Sequence, residues 1–311
     1  MNRCTEAEIL NILSLDGGGS KGVYTLGVLQ EVEARLGGVL ADHFGLIYGT
    51  STGAIIAALL SKGKSVAQVK RLYFLLIPKV MKHSRKSTRS KVLLRLAEKI
   101  FKKDKFDVFQ TYIGIVATNY EFERPLIFKN SAKQAFSMPA TFKPGFGCTV
   151  VEALMASTAA FPYFERVVVK TDNQGSPELM DGGFAANNPT LFAIADGVQT
   201  LKYSRQNIRV LSVGVGHYNE PQKIRISNIF QRLWPFKMIR KQLAINSNTV
   251  EIMRKLFFND IACVRIDSTY ADPRYATDLL EADKEKLNQL FVLGRESYSQ
   301  YEPDIDKYFK S

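Results

Sequence analysis

The sequence predicts an α/β fold: a mainly parallel sheet with helices on both faces. Three observations carry this. Strand-like and helix-like segments alternate along most of the chain. The strand segments are almost wholly apolar, as strands buried on both faces are. Two of the strand-to-helix corners are rich in glycine. Hydrophobic residues make up 46% and charged residues 23% of the 311 positions, a balance that supports a sizeable core.

The first strand is ILNILSL (9–15), followed by the loop DGGGSKG and the helix KGVYTLGVLQEVEARL (21–36). FGLIYGT (44–50) is a second strand that runs straight into a helix from Ser51. Ser65 is the N-cap of the helix VAQVKRLYFLLI, which is predicted to end at Pro78 because proline has no N–H to continue the ladder. A basic stretch leads to the strands YIGIVATN (112–119) and PLIFKN (125–130), then the helix VVEALMAS (150–157). The strands RVVVK (166–170) and ELMDGG (178–183), a helix after Pro189 and the strand IRVLSVGVG (208–216) follow. Residues 9–215 read as one catalytic domain that includes a basic helical insert at 79–105. Residues 216–311 read as a C-terminal helical extension packed on the same domain.

The net charge of +12 is concentrated. Between Lys79 and Lys105 there are eleven Lys or Arg against Glu98 and Asp104. A second stretch, KIRISNIFQRLWPFKMIRK (223–241), mixes cations with Ile229, Phe230, Leu233, Trp234 and Phe236. Cations among aromatics suit an anionic membrane surface or nucleic acid, and the competing reading is a solvated helix face. Cys4, Cys148 and Cys263 are scattered, so neither a disulfide framework nor a thiolate metal site is expected. The first residues lack a signal peptide's pattern, and no apolar run is long enough to span a bilayer. A cytoplasmic protein is expected, with no cofactor and no metal.

The two glycine corners carry the chemistry. In Gly49-Thr50-Ser51-Thr52-Gly53, small residues flank a serine between a strand and a helix, where a hydroxyl projects as a nucleophile. In Gly17-Gly18-Gly19-Ser20-Lys21-Gly22, a row of backbone N–H groups at a helix start forms a nest for a developing oxyanion, with Lys21 adding positive charge nearby. Gly17, Gly19 and Gly22 also match the GxGxxG dinucleotide pattern. That pattern needs an acidic residue at the end of the next strand, and Ser51 stands there instead. A Walker loop fails because Val23 follows Gly22. For the base there are two options. Asp181, followed by Gly182 and Gly183, sits at a strand end beside a turn network of Asn187, Asn188 and Pro189. His217, with Ser51 and Asp181, matches the chain order of an α/β-hydrolase triad.

Together, DGGGSKG, GTSTG and DGGFAANNP, with ALMASTAAFPYFERV between the last two, resemble the patatin-like phospholipase family over roughly residues 9–215. The resemblance implies a three-layer patatin-like architecture and a serine lipid acyl hydrolase of the phospholipase A type. By it, Ser51 is the nucleophile, Asp181 the base of a Ser-Asp dyad, and Gly17, Gly18 and Gly19 the oxyanion loop. Lys21, Gly22, Gly49, Gly53, Gly182 and Gly183 support them, and no catalytic histidine is expected. The implied partners are membrane phospholipids at an anionic bilayer surface, met at the inner face of the membrane when active, with no DNA or RNA polymer. The chain also looks like the family's bacterial antiviral effectors. That implies a cyclic di- or trinucleotide activator and an active homo-oligomer. Two readings compete: an esterase with a Ser51-Asp181-His217 triad, and a non-catalytic nucleotide-binding module in which Ser51 is only a corner residue.

Overall fold

The computed structural model describes residues 8–136, 139–173, 175–219 and 234–310. In chain order they form β1 (Leu10–Leu15), α1 (Gly22–Leu36), α2 (Leu40–His43), β2 (Leu46–Thr50), α3 (Thr52–Ser61), α4 (Val66–Met81) and α5 (Lys86–Phe101). Then come β3 (Tyr112–Asn119), β4 (Arg124–Lys129), α6 (Val150–Ser157), β5 (Val167–Val168), β6 (Glu178–Asp181), α7 (Gly183–Ala186) and α8 (Thr190–Ala195). The last elements are β7 (Ile208–Val213), β8 (His217–Tyr218), α9 (Trp234–Phe257), β9 (Ala262–Ile266), β10 (Thr269–Tyr270), α10 (Lys284–Tyr298) and α11 (Glu302–Phe309).

The main sheet runs β5-β6-β3-β2-β1-β7-β9, with β4 also on β3. Strands β3, β2, β1, β7 and β9 are mutually parallel, β4 and β6 run antiparallel to β3, and β5 pairs antiparallel with β6. The apolar strands alternate between two cores, as the two-residue period requires. Leu13 and Leu15 of β1, Ile47 of β2 and Leu211 of β7 face the larger core with α1, α3, α4 and α6. Ile12, Leu46, Tyr48 and Val210 face the smaller one with α8. Three layers result.

Helix starts follow their local chemistry. Ser65 caps α4 as predicted: its hydroxyl accepts from Gln68 N (3.3 Å), while Gln68 Oε1 accepts from Ser65 N (3.1 Å). The predicted end at Pro78 is wrong, because α4 continues to Met81 with Pro78 inside it. Ile77 and Val80 are buried on either side of the proline. Their packing offsets the roughly 3 kcal/mol that an interior proline costs.

The basic segment at 79–105 is the end of α4 and all of α5, and it is not one solvated face. Arg89 is buried and donates to three carbonyls: His83 O (2.6 Å), Tyr163 O (3.0 Å) and Ser84 O (3.2 Å). The stretch after residue 215 is likewise more than helical. Strand β9 adds a parallel strand to the sheet beside β7. Of the second basic stretch, residues 223–233, with Ile229, Phe230 and Leu233, lie outside the described residues, and so do the side chains of Trp234 and Phe236.

Candidate active site

Strand β3 brings the two distant corners together. Its residues 114–119 pair with β4 along one edge, so its other partners share the opposite edge. There β2 runs parallel as far as Thr50 opposite Val116, and β6 runs antiparallel to end at Asp181 opposite Ala117. The carboxyl ends of β2 and β6 therefore meet head-on at adjacent β3 residues. Ser51 follows the first, and Asp181 ends the second.

Ser51 has φ 54° and ψ −119°, a conformation that costs a non-glycine residue about 1–3 kcal/mol and turns its side chain out of the strand-helix corner. Its neighbours hold it there. Ser51 N donates to Ser157 Oγ (2.9 Å), which in turn donates to Val116 O (2.6 Å). A Cβ on Gly53 would lie 2.3 Å from Leu15 O, and one on Gly49 2.4 Å from Gly53 O, so α3 can enter this close to the sheet only with glycine at both places. Ser51 Oγ donates to Asp181 Oδ2 at 2.6 Å. The other carboxylate oxygen accepts from Gly183 N at 2.7 Å. Asp181 is only 4% exposed. Burial raises its pKa to about 6, partly countered by the Ser51 and Gly183 hydrogen bonds. Gly182 lies against β3, where a Cβ would stand 2.1 Å from Val116 O.

The glycine loop closes over the serine: a Cβ on Gly17 would be 3.3 Å from Ser51 Cβ. Its three N–H groups are not equivalent. Gly17 N is already spent on Asn187 O (3.0 Å). Those of Gly18 and Gly19 have no acceptor among the described residues, and both residues line the pocket that Ser51 opens into. Tyr73 fixes the loop by donating to Gly19 O (2.7 Å), and it also bonds Thr52 Oγ1. Gly22 makes room for both, since a Cβ there would be 2.7 Å from Tyr73 Oη. Asp16, just before the loop, is gripped by Arg265 of β9 through two bonds of 2.8 and 2.7 Å.

The sequence alone does not mark Tyr73, Ser157 or Arg265 as functional. Ser157 lies in the small-residue segment ALMASTAAFPYF. Nothing local marks Arg265, which stands 249 residues from the carboxylate it holds.

The pocket at Ser51 is a narrow slot of about 100 Å³ that also contains Asp181. Its walls are apolar: Ile55 of α3, Leu76, Ile77 and Val80 of α4, Leu93, Leu96 and Ile100 of α5, and Leu154 and Met155 of α6. The basic segment thus turns its cations other than Arg89 outward and one apolar side into the slot.

His217 is not part of this arrangement. It lines a different pocket and pairs with Asp267 (3.1 Å), while Asp181 bonds Ser51 directly, so the triad reading is overturned. Lys21, 8% exposed, lines that second pocket as well and not the slot. Burial lowers its pKa to about 8. Among the described residues no cluster of metal-ligating side chains occurs, and no helix is long and apolar enough to cross a membrane.

A parallel α/β sheet carrying a strained serine elbow bonded to a buried aspartate, under a glycine nest, has the architecture of a serine acyl hydrolase. The patatin-like phospholipase family model matches residues 13–194. The chain is 45% identical over 300 residues to the cUMP-AMP-activated phospholipase of Escherichia coli, covering 96% of this chain and 94% of that one. It is 28% identical to the cGAMP-activated phospholipase of Pseudomonas aeruginosa, over 66% of this chain and 62% of that one. Among solved structures, VipD from Legionella pneumophila shares the fold, with a TM-score of 0.50 at 12% identity over 97% of this chain and 67% of its own. The chain belongs to the patatin-like phospholipase family. That membership and the 45% identical phospholipase set aside the reading of the chain as a non-catalytic nucleotide-binding module.

Proposed function

We propose that the chain hydrolyses acyl esters of membrane glycerophospholipids through a Ser51-Asp181 dyad and that a cyclic dinucleotide switches it on. The observation that carries the hydrolytic reading is the 2.6 Å bond from Ser51 Oγ to a buried carboxylate at an apolar slot. Asp181 Oδ2 accepts the hydroxyl proton as Ser51 Oγ attacks the ester carbonyl. The oxyanion rests on the Gly18 and Gly19 amides. Collapse expels the lysolipid alcohol, which takes the proton from Asp181. Water then attacks the acyl-serine and gives a proton to Asp181; collapse breaks the acyl–Oγ bond, Ser51 Oγ takes that proton back from Asp181, and the fatty acid leaves. The slot between α4, α5 and α6 holds the acyl chain, since apolar walls favour a methylene chain by about 0.8 kcal/mol per buried CH₂.

The gating reading rests on the 45% identical relative, whose activator is cUMP-AMP. Free fatty acid released from mixed liposomes, followed by mass spectrometry against a panel of cyclic dinucleotides with Ser51→Ala as control, tests both halves. Release that depends on one nucleotide is expected. High release without any nucleotide would overturn the gating, and no release under any condition would overturn the hydrolase.

Two outcomes follow from the site. A carboxylate with its pKa near 6 accepts protons only when ionised, so turnover of a soluble ester should climb as pH rises through about 6 and then level off. A profile flat from pH 5 to 7 would remove Asp181 as the base. The exposed cations of the α4–α5 segment, Lys82, Arg85, Lys86 and Lys91, face solvent outside the slot. Each contributes about 1 kcal/mol near an anionic surface, screened within a Debye length. Binding to anionic vesicles should weaken steeply with salt and with Lys/Arg→Glu changes at these four positions. Equal binding to neutral and anionic vesicles would leave them as ordinary surface charge.

A further inference from the structure

Behind the glycine loop lies a second pocket that the hydrolytic mechanism does not use. Gly18, Asn187, Leu243 and Leu279 line both this pocket and the slot, so one thin wall separates the two. Its volume is about 390 Å³, against about 100 Å³ for the slot. Its character is also different. Lys21, His217, Tyr218, Asn219, Arg240 and Lys241 line it. Lys21 is more than nine-tenths buried, and among the described residues nothing accepts a hydrogen bond from its ammonium. The charges of Asp267 and Asp278 compensate this buried cation only at a distance, and an arriving anion would meet its donors directly. A shallower recess shares Tyr218, Arg240 and Thr277 with this pocket and adds Asp278, Glu281 and Lys286. Cations beside an aromatic ring, with carboxylate acceptors one step further, fit a phosphodiester joined to a polar, stackable base.

We propose that this pocket is a phosphodiester-binding site, in which Lys21, Arg240, Lys241 and His217 meet the anion and Tyr218 meets the group attached to it. The proposal rests on the nucleotide-gated reading above and deepens it by naming the place where the nucleotide acts. The pocket touches the catalytic loop in two ways. Leu279 O accepts from Ser20 N (3.0 Å), and a Cβ on Gly19 would lie 2.3 Å from that same oxygen, so a ligand that moves Leu279 moves the loop. On the opposite wall, His217 bonds Asp267 (3.1 Å), Asp267 bonds Arg265 (2.6 Å), and Arg265 holds Asp16 at the start of the loop. Both routes end at the amides of Gly18 and Gly19.

The same anion chemistry could come from a cyclic dinucleotide or from a phospholipid headgroup, and calorimetry separates them. The chain carrying Ser51→Ala, which cannot turn over lipid, is titrated with cUMP-AMP and, separately, with glycerophosphoglycerol. One cUMP-AMP per chain is expected, and Arg240→Glu with Lys241→Glu should weaken it about a hundredfold, the loss for reversing two charged donors to an anion. Tyr218→Ala, which leaves the charges in place, should weaken it as well. Each variant is first matched to the parent by thermal melting, and Lys310→Glu, at an exposed position that does not line the pocket, is the charge control. Glycerophosphoglycerol bound in place of cUMP-AMP, with the same sensitivity to the charge reversal, would keep the site and assign it to the lipid. Binding of neither probe, or cUMP-AMP binding untouched by both the charge reversal and Tyr218→Ala, would overturn the site. The last result, alongside nucleotide-stimulated fatty-acid release by the unmodified chain, would leave the gated phospholipase standing and remove only this location. Absence of nucleotide stimulation would remove the gating and leave the site to the headgroup titration.

Discussion

Ser51→Ala and Asp181→Asn are each expected to lower fatty-acid release by at least about 10⁴-fold, the loss seen when a member of a nucleophile-base unit is removed. Combining them should cost little more than either alone, because the two act on one proton. Asp181→Asn carries a second signature. The carboxyl titrates near 6 when folded and near its ordinary 3.8 when unfolded, because burial penalises its charge. The native state therefore holds the proton to higher pH. Stability falls as pH rises from 3.8 to about 6, and the loss persists above that. Asparagine removes the buried charge and keeps an oxygen to accept from Gly183 N. The variant should then be inactive yet more stable at pH 7.5, by an upper bound of about 3 kcal/mol for a shift near two pH units. Chemical denaturation at pH 7.5 and pH 4 reads this, with the gain confined to the higher pH. An active Asp181→Asn enzyme would end the dyad assignment, and an inactive but less stable one would mean that the carboxylate is structural.

The second large effect is expected at Gly19. Its φ is +57°, and an added Cβ would stand 2.3 Å from Leu279 O, so alanine must push the loop from its place. The Gly18 and Gly19 amides would then miss the oxyanion, a loss on the order of 10²–10³ in kcat for one such donor. The binding of a non-reactive lipid analogue should change far less, since the slot lies on α4, α5 and α6. Wild-type kcat in Gly19→Ala would show that the charge is stabilised elsewhere, with the Thr52 amide at the start of α3 the next candidate.

The parts of the molecule that could be read from the sequence are those whose signals are local. Apolar runs such as YIGIVATN and the glycine corners at 17–22 and 49–53 located β3, the loop and the elbow, because a buried strand or a tight corner constrains its own residues. Signals that depend on distant packing were missed. Pro78 looked like a helix end, but Ile77 and Val80 lock the turn around it into the core. Arg89 looked like one more surface cation, but three carbonyls in two different segments capture it. Strand β9, in IACVRI, gives no clear signal in the sequence because its interior arginine breaks the apolar run. That arginine is Arg265, turned inward because Asp16 and Asp267 await it there. The candidate nucleophile and base were legible by their corners. Their 2.6 Å contact was not, since it depends on which edge of β3 each strand occupies.

That shared edge also has a consequence in time. During synthesis the serine elbow and the glycine nest leave the ribosome early, and a nascent chain that ends before residue 178 has both. What it lacks is β6, the last of β3's partners in the sequence, and with it the carboxylate that bonds Ser51. Further on, Asp16 stays without its arginine until β9 is made. On the proposed dyad, an interrupted or clipped product keeps a serine with no base, so the order in which the sheet is made leaves unfinished copies without hydrolytic activity.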